Sequence, residues 1–213
     1  RLVVKCVLED RMQMFHMPAT GVSGVDLFAY DTRGTEHWCA PKFSPSFTQG
    51  SGTEVIYNYE RLDYEHQTDI YTYRLYLPLY NSVSSLELTV DEDCVFEFLP
   101  VGEDLPVVVY GTSIAQGACA SRPGMAWTSI VERRLGCPVV NLGFSGNGRM
   151  EKEVFGLLNQ IDAAAYVIDC LPNINVEDDF ETRLEEGIAL LRADHSCPIV
   201  LVEHSGYAND FTN

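Results

Sequence analysis

From residue 107 onward, short apolar runs rich in β-branched residues alternate with longer stretches whose apolar residues recur every three or four positions. That alternation of strand and helix signals restricts this part of the chain to a parallel sheet with helices on both faces. Residues 107–110 (VVVY) carry no charge and read as a strand covered on both sides. A helix is predicted over 125–135, with Ala126, Trp127, Ile130, Val131 and Leu135 on one face and Gly136 at its stop. Strands over 138–142, 165–170 and 198–203 and helices over 150–161 and 180–191 complete the pattern. In such sheets the parallel strands end at one rim, and ligands bind there.

Residues 1–104 show little helical periodicity. The stretches 24–30, 54–59, 70–77, 85–90 and 94–98 are short, aromatic and β-branched, with turn clusters such as Asp31-Thr32-Arg33-Gly34 and Gln49-Gly50-Ser51-Gly52 between them. Tyr71, Tyr73, Leu75 and Leu77 alternate with Thr72, Arg74 and Tyr76, the pattern of a half-buried strand. Short strands punctuated by turns predict a β-sandwich of jelly-roll type. The polar Pro/Gly stretch Pro100-Val101-Gly102-Glu103-Asp104-Leu105-Pro106 marks the expected boundary between a domain at 1–104 and one at 105–213. The expected fold class is α/β, an all-β module followed by a doubly wound parallel sheet.

A net charge of −17, shared by both halves, argues against a phosphate backbone or an anionic membrane surface as partner. No apolar run is long enough to span a bilayer. The seven cysteines are scattered without a C-x-x-C pair, and His16, His37 and His66 do not stand at metal-ligand spacing, so neither a zinc site nor a redox motif is indicated, and no cofactor is expected for serine chemistry. The start Arg1-Leu2-Val3-Val4 has neither an initiator Met nor a signal-peptide layout, which reads as a processed or trimmed chain and fits an exported bacterial protein.

The residues that follow each strand carry the chemistry. Gly111-Thr112-Ser113 follows the first, and Asn141-Leu142-Gly143-Phe144-Ser145-Gly146-Asn147-Gly148 closes the second. Asp169-Cys170-Leu171-Pro172-Asn173 closes the third, and Glu203-His204-Ser205-Gly206 the fourth. A serine, a Gly-rich loop, an asparagine and a histidine thus converge on one edge. A backbone N–H from the serine turn, another from the Gly-rich loop and the Asn side chain could together hold a developing oxyanion. The other reading makes Ser113 a helix cap, the glycines plain turn residues and Asn173 a cap behind Pro172. Phosphate binding is disfavoured, because neither G-x-x-x-x-G-K-[ST] nor G-x-G-x-x-G is present and no lysine stands in these loops. His195 precedes the fourth strand and belongs at the opposite end of the sheet.

Gly111-Thr112-Ser113-Ile114 resembles the first block of the SGNH (GDSL-like) hydrolases, in the variant with Thr in place of Asp. Residues 141–146 resemble the second block, with Gly146 as its glycine, and residues 169–173 the third, with Asn173 as its asparagine. Gly24-Val25-Asp26-Leu27-Phe28 is similar to the β-sandwich that precedes the hydrolase domain in a bacterial subgroup. The resemblance implies a flavodoxin-like domain with Ser113 as nucleophile, Gly146 and Asn173 in the oxyanion hole, and an acetyl or other short acyl ester, on a saccharide, as substrate. Two departures stand out. The asparagine of the third block, usually Gly-x-Asn-Asp, lies two residues further on, and no Asp-x-x-His stands near the C-terminus; Asp63-x-x-His66 falls in the β-rich half. The chain therefore reads as an incompletely represented hydrolase, with His204, near Glu203 and Asp210, as the in-chain candidate for the base. A non-enzymatic glycan-binding protein on a hydrolase-like scaffold is the alternative.

Overall fold

A computed structural model describes residues 1–42, 53–62, 72–175, 178–204 and 206. The turn expected at Gln49–Gly52, the first two positions of the strand expected over 70–77, and Asp63, His66 and Asp210 lie outside the described residues. The chain forms two compact units, Arg1–Val101 with Ala118–Ala126, and Gly102–Gly117 with Trp127–Asn213.

The first unit is built from antiparallel strands. β1 (Leu2–Leu8) buries alternate residues, as a strand with one covered face must. It pairs on one side with β4 (Glu54–Tyr59) and on the other with β6 (Val83–Val90). A short helix, α1 (Ala19–Val22), leads to β2 (Asp26–Tyr30), which pairs with β3 (Glu36–Cys39) and β5 (Thr72–Tyr76). Val4, Cys6, Leu27, Val55, Tyr57 and Tyr59 share one apolar core drawn from both sheets. The Tyr57 hydroxyl accepts the Val25 N–H at 3.2 Å, so its polar end is satisfied inside. β1 and β3 were not foreseen from sequence. Residues 94–98, expected as a strand, join no sheet: Val95 and Phe98 are exposed, and Phe96 and Phe98 pack only edge to face at 5.1 Å. Apolar β-branched composition reports fitness for a pleated surface and does not supply a neighbouring strand.

The second unit carries a parallel sheet of four strands, in agreement with the alternation read from sequence. β7 (Val107–Gly111) runs into a single helical turn, α2 (Ser113–Gln116); α3 (Trp127–Leu135) then leads to β8 (Val139–Gly143). α4 (Lys152–Leu158), β9 (Ala165–Asp169), α5 (Phe180–Asp194) and β10 (Ile199–Leu201) follow. The strand order is β10-β9-β7-β8. The order reverses at β7, so the connections out of β7 and β9 lead in opposite directions. This is the topological switch point at which open α/β sheets leave a crevice. Tyr110, Phe155, Leu158, Tyr166 and Leu191 are fully buried on the α4/α5 side, each contributing about 1.5–3 kcal/mol by burial. Gly187 of α5 makes room for the Phe155 ring, which an added Cβ would meet at 2.4 Å.

Candidate active site

The turn that carries Ser113 stands at the carboxyl ends of the paired strands β7 and β9. Gly111 ends β7 where an added Cβ would lie 2.5 Å from the Asp169 carbonyl oxygen and 2.8 Å from Ala115 Cβ, so the chain can turn sharply there only without a side chain. Thr112 is wholly buried and caps α2: its Oγ1 accepts the Ile114 N–H at 3.3 Å, and its own N–H donates to the Asp169 carbonyl at 3.2 Å. The capping role that sequence offered to Ser113 thus falls to Thr112. Ser113, half-buried, is the first residue of the turn. Gly117, at φ +108°, ends it and donates to the Ser113 carbonyl at 3.1 Å.

The loop after β8 is tied to this turn at several points. The Phe144 N–H donates to the Gly111 carbonyl at 2.9 Å, and the Ser145 N–H donates to Gln116 Oε1 at 2.9 Å. Asn147 N–H donates to the Phe144 carbonyl at 3.0 Å, closing a β-turn with Ser145 and Gly146 at its centre. Gly146 has φ +73° and Ser145 does not have a positive φ, the sign pattern of a type II turn. Asn141, within β8, donates from Nδ2 to the Ala115 carbonyl and to Thr128 Oγ1, both at 2.9 Å, while its Oδ1 accepts the Gly143 N–H at 2.9 Å.

The β9 loop closes the other side. Asn173 lies in a 3₁₀ turn, Leu171–Asn173, and its Nδ2 donates to the Asn147 carbonyl at 2.5 Å. An amide nitrogen has two protons, so a second N–H remains for another acceptor. Ser113, Gly146 and Asn173 therefore stand on three loops that hydrogen bonds tie together at one rim.

His204 follows β10 at the same rim and is exposed. Its Nδ1 accepts the Gly206 N–H at 2.8 Å, so the neutral ring carries its proton on Nε2 and the Nδ1 lone pair is engaged. For Nε2 to take a proton from a serine, Gly206 has to release Nδ1. His195 sits at the other end of the sheet, as expected, with Nε2 2.9 Å from the Asn159 carbonyl.

Three polar features carry roles that the sequence did not indicate. Asp169 ends β9 opposite Gly111 and is only 7% exposed, and burial raises its pKa. Its side chain has no hydrogen-bond partner among the described residues. An acidic residue closing an apolar strand was the available signal. Tyr110 donates its hydroxyl proton to the Glu151 carboxylate, which also accepts the Arg149 N–H at 2.7 Å. Burial works to raise the Glu151 pKa, but the Tyr110 and backbone hydrogen bonds outweigh it and hold the carboxyl below its usual value. Gln116, one helical turn beyond Ser113, is the third. Among the described residues no cluster of His, Cys, Asp or Glu could hold a metal ion. No helix among them is long and apolar enough to cross a membrane.

Comparison with known proteins gives the family of the chain. The sequence profile of the GDSL-like lipase/acylhydrolase family matches residues 104–213, just over half of the chain. The chain belongs to that family. The profile of the N-terminus of SGNH-hydrolase-type esterases matches residues 1–96. Among solved structures, a protein from Bacteroides ovatus assigned as a GDSL-like lipase superposes with TM-score 0.75 at 33% identity, over 94% of this chain and 56% of its own. A salicylyl-acyltransferase from a tetracycline biosynthetic pathway superposes with TM-score 0.60 at 16% identity, over 93% of this chain and 54% of its own, a likeness of fold. The chain spans about half the length of each. No curated protein matches it. Ser113, the Gly-rich loop at 143–148 and Asn173 all lie within the span that the GDSL-like lipase/acylhydrolase profile matches.

Proposed function

We propose that this chain carries the nucleophile and the oxyanion hole of a serine ester hydrolase. Ser113 Oγ attacks the ester carbonyl carbon while a histidine accepts its proton. The Ser113 and Gly146 N–H groups and the second Asn173 N–H hold the oxyanion. The tetrahedral intermediate collapses, the alcohol leaves with the proton returned by the histidine, and water releases the acid by the same steps. The observation that carries this reading is the joining of three loops at the switch point: Ser113 on the β7 turn, Gly146 beside Ser145, whose N–H is held by Gln116, and Asn173 bound to Asn147. His204 fills the role of base inside this chain once Gly206 frees Nδ1. The substrate we propose is an acetyl or other short acyl ester of a saccharide. Export from the cytoplasm is part of the same reading and is tested by cell fractionation.

The test is covalent labelling of Ser113 with a fluorophosphonate, read by intact mass, alongside hydrolysis of p-nitrophenyl acetate and acetylated oligosaccharides. Wild type is expected to label at one site and Ser113→Ala not at all, and His204→Gln to slow both reactions. Labelling or hydrolysis that survives Ser113→Ala unchanged overturns the assignment. A wild type that binds saccharide without labelling favours the glycan-binding alternative.

A further inference from the structure

Ser113 and Gln116 are the first and last residues of the same helical turn, α2, so a group fixed to Gln116 is fixed relative to the nucleophile. That group is the turn at residues 144–147. Gln116 Oε1 accepts the N–H of Ser145 at 2.9 Å, and Ser145 directly precedes Gly146. The backbone of Gln116 is itself seated. Gly143 faces it so closely that an added Cβ would lie 2.1 Å from Gln116 N, and Asn141 Nδ2 holds the neighbouring Ala115 carbonyl at 2.9 Å. The outer part of the turn is otherwise exposed: Phe144, Ser145, Gly146 and Asn147 all face solvent. Around Gly146 there is open space. Packing therefore does little to hold its N–H in place, and hydrogen bonds do the holding: Gln116 fixes the preceding peptide through the Ser145 N–H, the Asn147 N–H closes the turn on the Phe144 carbonyl, and Asn173 holds the Asn147 carbonyl one peptide further on.

We propose that Gln116 is a positioning residue that sets the distance between Ser113 and the Gly146 N–H by anchoring Ser145, and so places one donor of the oxyanion hole. This rests on the ester-hydrolase reading above. Gln116 need not touch substrate; its side chain acts through the turn. An oxyanion donor serves only when it lies about 2.7–3.1 Å from the developing charge, and losing one outright costs roughly 10²–10³-fold in kcat. A donor left on a loosened turn forfeits part of that.

The experiment compares Gln116→Met, which keeps the length and removes the acceptor, with Gln116→Glu, which keeps an acceptor oxygen. Three quantities are measured for each: the fluorophosphonate labelling rate of Ser113, kcat and KM on p-nitrophenyl acetate, and hydrogen exchange of the Ser145 amide. Gln116→Met is expected to lose Ser145 protection, to label about tenfold to a hundredfold more slowly, and to lower kcat with KM within about twofold, the signature of an interaction made in the transition state. Gln116→Glu is expected to keep Ser145 protected and to retain most of the wild-type rate. A Gln116→Met protein that loses Ser145 protection yet labels at the wild-type rate overturns the proposal. So does one that slows while Ser145 stays protected, or a Gln116→Glu protein that is folded, protected and as slow as Gln116→Met. If wild type itself fails to label, the ester-hydrolase reading has failed and this inference falls with it; if wild type labels and the variants do not follow the pattern, only this inference fails.

Discussion

Gly146→Ala separates the conformation of the turn at residues 144–147, proposed to carry an oxyanion donor, from its packing. An added Cβ at Gly146 meets nothing within 4 Å, so the substitution creates no collision. Its cost is conformational, because φ is +73°, and an L-residue in the left-handed region pays about 1–2 kcal/mol. The turn has a way out. Rotating the central peptide converts type II to type I, with φ negative at the third position, and leaves the Asn147 N–H on the Phe144 carbonyl. That rotation turns the Gly146 N–H roughly end for end. Stability should therefore fall by no more than about 1–2 kcal/mol, a drop in Tm of roughly 2–8 °C for a chain of this size. The labelling rate of Ser113 should fall by most of what one oxyanion donor supplies, about 10²–10³-fold. Gly146→Asn, which tolerates positive φ better, should recover part of the rate. Gly148→Ala provides the contrast: its Cβ would lie 2.2 Å from the Gly111 carbonyl oxygen, so it should lower stability and rate together. Urea unfolding and fluorophosphonate kinetics on the same preparations decide the matter. A Gly146→Ala protein that labels as fast as wild type would refute the assignment of this N–H to the oxyanion hole.

Two further predictions concern buried carboxylates. Burial raises the Asp169 pKa, so between the ordinary carboxylate value near 3.9 and its higher folded value the native state binds more protons than the unfolded chain, and its contribution to stability falls as pH rises through that window. Asp169→Asn should remove that fall, flattening the pH dependence of the urea midpoint; equal slopes in the two proteins would refute it. Asp26, 3% exposed, accepts the Trp38 indole N–H at 2.7 Å and the Gly124 N–H at 3.1 Å and pairs with Arg122 Nε at 3.0 Å. Asp26→Asn removes the charge that Arg122 faces and should cost about 3 kcal/mol in urea unfolding, the lower end for a broken buried pair because Arg122 is partly exposed; a loss below about 1 kcal/mol would count against it.

The parallel sheet was legible because its signals are local. Uncharged β-branched runs, helical periodicity and stop glycines occur within a dozen residues of one another, and the rule that parallel strands share a rim then brings Ser113, Gly146, Asn173 and His204 to one edge. The Gly-rich loop was likewise visible, though not which glycine does what: Gly148 is needed for close approach as well as for its positive φ, Gly146 for its backbone angle alone, and both are the same letter. Asn141 and Asp169 open two of the strand-end loops read from sequence, but their roles and that of Gln116 were not legible, since what they do depends on side chains reaching across 26 to 29 residues of sequence, or on a burial that composition does not reveal. The same limit hid β1, an unremarkable apolar run that becomes the centre of a sheet only when β4 and β6 arrive from more than 45 residues away.

Residues 118–126 give the molecule a threaded order. The chain leaves the second unit after Gly117, lays nine residues into the first, and re-enters the second at Trp127. Gly124 is fitted there so closely that a Cβ would lie 2.3 Å from the Phe28 ring, and Asp26 holds both its N–H and Arg122. No single cleavage of the backbone can therefore yield either unit whole. Exchanging residues 105–213 alone would also replace residues 118–126, which belong to the first unit. In such an exchange Asp26 would face whatever residues stood at 122 and 124, nearly a hundred positions away, in place of Arg122 and Gly124.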